Sequence, residues 1–220
     1  MMTKRVLVVF PHPDDEAFGT SGTLAKLIHE GWQVTYACLT LGEMGRNMGV
    51  PPFANRITLP AIRKLELEES CKAIGIQDVR MLGFHDKMVE FEEPEVIDGE
   101  MKKLLDEVKP SLVITFYPGY SVHPDHDATG ASVIRTIQRL PKDERPEVHC
   151  LAFSNGCRDY IGEPDVYQDV EEYIDQKIQS ITAHRSQFQA PELVGDKKLS
   201  REDMVLRFGV ESFWTYPFEG

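Results

Sequence analysis

Val6-Leu7-Val8-Val9-Phe10-Pro11-His12-Pro13-Asp14-Asp15-Glu16 is the stretch that decides how this chain is read. Its first five residues form an unbroken apolar, β-branched run, the pattern of a strand buried on both faces in the middle of a parallel sheet. The prolines end that strand, and the turn after it departs from a familiar pattern. A dinucleotide-binding fold would place GxGxxG there, because glycine lets the backbone approach a pyrophosphate. Here Asp14, Asp15 and Glu16 occupy the turn; they would repel phosphate and suit a cation.

Outward from this stretch, strands and helices alternate. Leu24, Leu27 and Ile28 fall at helical spacing within Thr20 to Glu30, and Gly31 stands where a helix stop is expected. Val34 to Leu39 reads as the second strand. A helix follows from about Pro60 to Ile74, with Ile62, Leu65, Cys71 and Ile74 inward and Gly75 as its stop, and Val79 to Leu82 is a short third strand. Val96, Ile97, Met101, Leu104, Leu105 and Val108 give a helix over Pro94 to Val108. Leu112 to Tyr117 is strand four, Asp125 to Leu140 a helix, Val148 to Phe153 strand five, and Val170 to Arg185 a last helix. This order predicts an α/β, Rossmann-like, predominantly parallel sheet with helices on both faces, in one domain spanning 1–220. If the sheet winds outward from strand one, strands one and four meet at the switch point, and ligands bind beyond their carboxyl ends. The Gly- and Pro-rich segment from Thr40 to Leu59 is long for a compact domain and is expected to be a substrate loop.

Composition narrows the classes. The chain has 220 residues, 41% of them hydrophobic and 27% charged, so disorder is excluded. With 36 acidic and 24 basic residues the net charge is −12, which argues against nucleic-acid and anionic-membrane partners. No apolar run approaches the roughly 18–20 residues of a membrane span, and the run after Lys4 and Arg5 is too short for a signal peptide. Cys38, Cys71, Cys150 and Cys157 form no CxxC pair, so reduced thiols and a cytoplasmic location are expected.

The second polar motif, His123-Pro124-Asp125-His126-Asp127, follows strand four. A catalytic zinc takes three His or carboxylate ligands and keeps a position for water. His12 and Asp15, with one histidine of the second motif, would complete such a set. Adjacent Asp14 and Asp15 point apart, so one serves the metal and the other the water, as a general base. The remaining histidine suits a role as an imidazolium donor to an oxyanion, kept protonated by Asp125 or Asp127. Read separately, each motif could be only a capped helix start; their shared placement at the switch point favours a site. His29, His85 and His149 stand alone and read as surface or satisfied histidines. Glu66, Glu68 and Glu69 read as a solvated helix face.

Pro11 to Glu16, Leu41-Gly42-Glu43, Arg63-x-x-Glu66, His123 to His126 and His184-Arg185-Ser186-Gln187 resemble the PIG-L or LmbE-like family of zinc-dependent N-acetylglucosamine deacetylases. The runs TLGEMGRNMGVPPFAN, from Thr40 to Asn55, and FYPGYSVHPDHDATG are most similar to the second type of bacillithiol-biosynthesis deacetylase. The resemblance implies metal ligands at His12, Asp15 and His126, a general base at Asp14 and an oxyanion-stabilising histidine at His123. It implies substrate contacts from Arg63 and Glu43. Zinc is the implied cofactor, and a two-His, one-carboxylate set also suits iron(II). The implied partner is a small amino-sugar substrate, N-acetylglucosaminyl malate, and a homo-oligomer is implied. Arg46, Arg56 and Arg63 could read the two carboxylates of the malate, although Arg56 and Arg63 could instead pair with Glu66 or Glu68 along the second helix, for Arg56 equally well. Relatives often carry Arg or Tyr where this chain has Ser121-Val122, and Tyr120 is the nearest substitute. The alternatives are an amidase acting on thiol S-conjugates and, in another class, a non-catalytic metal- or sugar-binding module. The aromatic tail from Ala190 to Gly220 is expected beside the site or at a subunit contact.

Overall fold

In the computed structural model, which describes residues 4–193 and 198–218, the predicted central strand is β1, Arg5–Phe10. It pairs in parallel with β2 (Gln33–Cys38) on one side and β4 (Leu112–Phe116) on the other, with Val6 opposite both Val34 and Leu112. β3 (Asp78–Met81) lies parallel to β2, and β5 (Glu147–Leu151) parallel to β4. Among the described residues the full sheet has seven strands, in the order β3-β2-β1-β4-β5, then β7 (Val210–Thr215) and β6 (Val166–Asp169). The switch point therefore falls between β1 and β4.

Alternation along β1 explains its unbroken hydrophobicity. Val6, Val8 and Phe10 enter one core cluster, while Leu7 and Val9 enter the other. The first cluster is covered by α2 (Ser21–His29) and α3 (Leu59–Ile74), through Leu24, Leu67, Cys71 and Ile74. The second is covered by α4 (Pro94–Val108) and α5 (Pro124–Gln138), through Ile97, Met101, Leu104, Val133 and Ile137. All four cysteines are free and buried.

Several expectations need correction. The first helical region is two pieces, α1 (Asp15–Gly19) and α2, and α1 starts inside the acidic turn itself. In α3, Leu65 is 64% exposed, whereas Arg63 and Glu66 are each only 3% exposed. The inward stripe runs Leu59, Arg63, Glu66, Leu67, Ser70, Cys71, Ile74, so polar residues hold positions assigned to Leu65. Glu66 is not solvated: its carboxylate accepts from the Ser186 N–H at 2.7 Å and the Ser186 hydroxyl at 2.6 Å. In α4, Val96 faces solvent. His149 is satisfied as expected, with Nε2 2.7 Å from Glu147.

The distal part of the chain holds elements that the sequence pattern did not reveal. After β5 come α6 (Cys157–Ile161) and a short strand β6 (Val166–Asp169). The last predicted helix is shorter, α7 (Ile174–Ala183), and packs on α3. The aromatic tail forms α8 (Arg201–Phe208) and β7 (Val210–Thr215), which runs antiparallel between β5 and β6. Phe213 and Trp214 are thus buried in the sheet rather than placed at the site; Val194 to Lys197 and Glu219-Gly220 of that tail lie outside the described residues. From β7, buried Glu211 accepts the N–H groups of Gly22 and Thr23 at 3.0 and 2.7 Å and pairs with Lys177 at 2.6 Å. A carboxylate from the far end of the chain thereby caps α2, whose own N-cap residue, Thr20, turns its hydroxyl to the Glu16 carbonyl and makes no side-chain cap hydrogen bond.

Candidate active site

The carboxyl ends of the parallel strands carry the candidate residues. β1 delivers His12, Asp14 and Asp15; the segment after β4 delivers Ser121, His123 and His126; the segments after β2 and β3 add Met44 to Arg46 and Asp86-Lys87. All of these but the buried Ser121 line a cavity of about 310 Å³, together with Arg63 and Gln187.

His12, Asp15 and His126 converge. His12 Nδ1 lies 3.2 Å from His126 Nε2 and 3.5 Å from an Asp15 oxygen, and the other Asp15 oxygen is 3.1 Å from His126 Nε2. The outer nitrogens of both rings are engaged elsewhere. His12 Nε2 faces Asp125 at 3.2 Å and Asp86 at 3.3 Å, and His126 Nδ1 is 3.1 Å from the Ser121 carbonyl. A ring nitrogen that donates to such an acceptor leaves the opposite nitrogen as a lone pair. Two imidazole lone pairs and a carboxylate then face one another, a donor set that only a cation or a proton can reconcile. These residues fit a metal such as zinc.

Burial opposes a charge on His12, but hydrogen bonds to Asp125, Asp15 and Asp86 outweigh it and raise its pKa well above the usual value. Burial would raise Asp15 too, yet His126 and His12 hold it well below the usual carboxylate range.

His123 differs from its neighbours. Its Nδ1 accepts the N–H of Asp125 at 3.1 Å as the cap of α5, so the neutral ring carries its proton on Nε2 and offers a donor, not a ligand atom. The ring nitrogens of His12, His123 and His126 do lie within 4.8 Å of one another, as do donor atoms of His12, Asp86 and Asp125. Burial, together with His12 and His126, pushes the His123 pKa down. The expected imidazolium is therefore corrected to a neutral ring. The Asp125 charge acts on His123 in the expected sense but is outweighed; its carboxylate accepts from His12 and from the Lys87 N–H, and Asp127 accepts the Ser121 N–H at 3.1 Å.

Asp14 stands at φ 115°, a left-handed conformation costly for a residue with a side chain. Its N–H donates to Glu16 at 3.1 Å, and its carboxylate takes Arg63 at 2.8 Å. Burial, reinforced by the Asp15 charge and opposed by Arg63, raises the Asp14 pKa to about 6. A carboxyl that titrates near neutrality suits a general base. Glu16 is itself fully buried and accepts from Ser70 at 2.5 Å, His184 at 2.6 Å and Tyr36 at 3.2 Å.

The candidate substrate residues divide. Arg63 is held by Asp14 and by the carbonyls of Gly42 and Pro13, so its guanidinium braces the acidic turn. Arg56 donates to the carbonyls of Glu43 and Gly45 and shapes the loop instead of pairing with Glu66 or Glu68. Glu43 accepts the Asp86 N–H at 3.2 Å and is not among the cavity residues. Arg46 lines the cavity, is exposed and has no hydrogen-bond or ion-pair partner among the described residues. Tyr120 packs on Tyr117 and Tyr160, away from the cavity, while Ser121, the departure from the family pattern, orients His126 through its carbonyl. Asp86 and Lys87 were not foreseen, their position just beyond a parallel strand being the available signal; Gln187 belongs to the His184-to-Gln187 match but carries no role in the sequence reading.

A His-Asp-His donor set at the switch point of an α/β sheet, with a carboxyl of matched pKa on one side and an N–H donor on the other, has the parts of a metal-assisted hydrolase. The family model described as GlcNAc-PI de-N-acetylase, PIG-L, matches residues 7–137, and the chain belongs to that family. It is 48% identical over 220 residues to the probable N-acetyl-alpha-D-glucosaminyl L-malate deacetylase 2 of Bacillus cereus, across 99% of this chain and 100% of that protein. The structure of N,N'-diacetylchitobiose deacetylase from Pyrococcus horikoshii aligns with TM-score 0.73 and 26% identity, over 97% of this chain and 84% of that one. A 4-carboxy-2-hydroxymuconate hydratase from Pseudomonas putida aligns with TM-score 0.74 at 15% identity, over 99% of this chain and 98% of that one, which shows the shared fold alone. The chain is a deacetylase, and the expectation of a non-catalytic module falls away.

Proposed function

We propose that this chain hydrolyses the acetamide of N-acetylglucosaminyl malate in the cytoplasm, a step in bacillithiol biosynthesis. The proposal is supported by near-half identity across the full length of a relative bearing that name. His12, Asp15 and His126 would hold the cation. Bound there, zinc or iron(II) would polarise the acetyl carbonyl and bring the pKa of a water molecule toward neutrality.

Asp14 takes a proton from the attacking water as its oxygen adds to the acetyl carbon. The same carboxyl then returns a proton to the sugar nitrogen as the C–N bond breaks, releasing acetate and the free amine. Nε2–H of neutral His123 donates to the oxygen that gains negative charge, so no ionised imidazole is required. Asp125 and Asp86 fix the ring of His12, and Asp127 fixes Ser121 and through it His126. Arg46 and Lys87, which both line the cavity, supply positive charge for the malate carboxylates. The observation that carries this reading is Asp14, held in a left-handed conformation by Glu16 and Arg63 at the edge of the His12, Asp15 and His126 cluster.

Asp14→Asn tests it. The variant should bind stoichiometric metal yet lose at least about a hundredfold in turnover; full activity with full metal content would remove Asp14 as the base.

A further inference from the structure

A second cavity, of about 300 Å³, is also lined by Asp14 and Asp15. Its remaining wall is Phe18, Gly19, Phe116, Leu151, Phe153 and Phe188. The two cavities share Asp14 and Asp15, so the acidic turn is the ridge between them. They differ in chemistry. The first carries Arg46, Arg63, Asp86, Lys87 and Gln187, whereas this one is hydrocarbon beyond the ridge.

The aromatic wall is tied to the reaction centre. Phe116 stacks on His126 with ring centroids 4.0 Å apart, and Phe153 stands edge-on to both rings at 5.7 and 5.9 Å. Phe18 and Phe188 pack edge to face at 4.7 Å. Phe18, Phe153 and Phe188 nevertheless remain 42%, 51% and 36% exposed. Large apolar side chains gathered in the open around a cavity mark a surface that binds something apolar.

An amide has two sides. With its carbonyl carbon beside Asp14, the amine side leads to the glycoside and the acyl side leads away from it. The polar cavity suits the sugar and its carboxylates, which leaves the hydrocarbon cavity for the acyl group. An acetyl methyl is about the size of one water molecule, whose share of liquid volume is about 30 Å³. The cavity is far larger than that.

We propose that this cavity is an acyl subsite and that the enzyme cleaves N-acyl glucosaminides carrying unbranched apolar chains longer than acetyl. The inference rests on the deacetylation assigned above and extends it. The chemistry is unchanged: water adds to the acyl carbon, the C–N bond breaks, the longer carboxylate leaves and the amine takes the proton.

The test measures kcat/KM of the metal-loaded enzyme for N-acetyl-, N-butanoyl- and N-hexanoylglucosaminyl malate. Each methylene that enters the cavity should raise kcat/KM by up to about fourfold. Leu151→Trp fills the cavity, and Phe188→Ala opens its rim without touching the core. The hexanoyl-to-acetyl ratio should fall about tenfold in the first variant and by roughly threefold in the second. Cleavage of acetyl with the longer chains below about a hundredth of its rate overturns the subsite and leaves the deacetylase reading standing, as does a ratio unmoved by Phe188→Ala. Cleavage of the longer chains but not acetyl supports the subsite and overturns that reading. Cleavage of none overturns both.

Discussion

Glu16→Gln is the most demanding test of how this fold presents its base. Glu16 is fully buried, with one oxygen accepting from Ser70 and His184 and the other from Tyr36 and the N–H of Asp14. Burial alone would raise its pKa, but His184 and Ser70 more than offset this and hold it below the usual value. A group with a depressed folded pKa stabilises above its unfolded value, about 4.3, and loses that contribution as pH falls through the folded pKa. At pH 7 the contribution is complete.

Glutamine keeps one oxygen. If that oxygen stays with Ser70 and His184, the amide nitrogen can donate to the Tyr36 hydroxyl but confronts the Asp14 N–H, and His184 loses its counter-charge, so two buried interactions are lost. At about 1–3 kcal/mol each, the cost is roughly 2–6 kcal/mol. A domain of this size typically shifts its Tm by about 2–4 °C per kcal/mol, so the midpoint should fall by roughly 5–20 °C without abolishing folding. The Asp14 N–H would also lose its acceptor, and the left-handed conformation it supports is worth about 1–3 kcal/mol of strain. Relaxation there should lower kcat about tenfold to a hundredfold with KM little changed. Ser70→Ala is the control: it removes a contact on the oxygen remote from Asp14, so Tm should fall with a much smaller loss of kcat. The assay pairs thermal unfolding with steady-state kinetics on metal-analysed protein. A Glu16→Gln enzyme within about 2 °C and twofold of the parent would refute the claim that a buried carboxylate supports the base.

Three further outcomes follow from the geometry. Glu211→Gln leaves Lys177 buried beside a neutral amide and weakens the cap on α2, so denaturant unfolding should show a loss of about 3–5 kcal/mol; a loss below about 1 kcal/mol would contradict it. Asp98 is buried against Ser132, Arg135 and Arg139. Burial would raise its pKa, but Arg135 and Ser132 hold it below the usual value. The stability gap between parent and Asp98→Asn should therefore be full above about pH 4 and close as pH falls further; a gap that widens toward acid would reverse the assigned sign. Arg46→Ala should raise KM for the malate glycoside about tenfold with kcat nearly unchanged, and an unchanged KM would release Arg46 from substrate binding.

Much of the architecture was legible because burial on both sheet faces writes itself into sequence. The run Val6 to Phe10, the periodic face from Ile97 to Val108 and the stop at Gly75 are local signals, and each matches its element. β7 was not legible. Its Glu211, Phe213 and Trp214 are all buried, so no alternation marks a half-exposed strand, and its partners β5 and β6 lie far away in sequence. Leu65 and Glu66 were misread for a related reason. Periodicity assigns apolar residues inward, but an inward carboxylate is tolerated where Ser186, distant in the chain, supplies two hydrogen bonds.

At the site, residue types and their spacing after two strands were enough to bring His12, Asp14, Asp15, His123 and His126 under one hypothesis. Individual roles depend on atoms, because the free nitrogen of an imidazole is set by what its other nitrogen meets. His126 meets the Ser121 carbonyl and His123 meets the Asp125 N–H, which makes one ring a lone-pair donor and the other a proton donor. The sequence by itself determined the chemistry available and the end of the sheet that carries it, since strand order and residue type are local properties. Only the tertiary structure decided that Arg63 braces the acidic turn, that Asp125 serves His12, and that an apolar cavity lies behind Asp14. Hydrogen-bond partners and cavity walls are assembled from segments brought together by folding, and their sequence separation conceals them until the chain is packed.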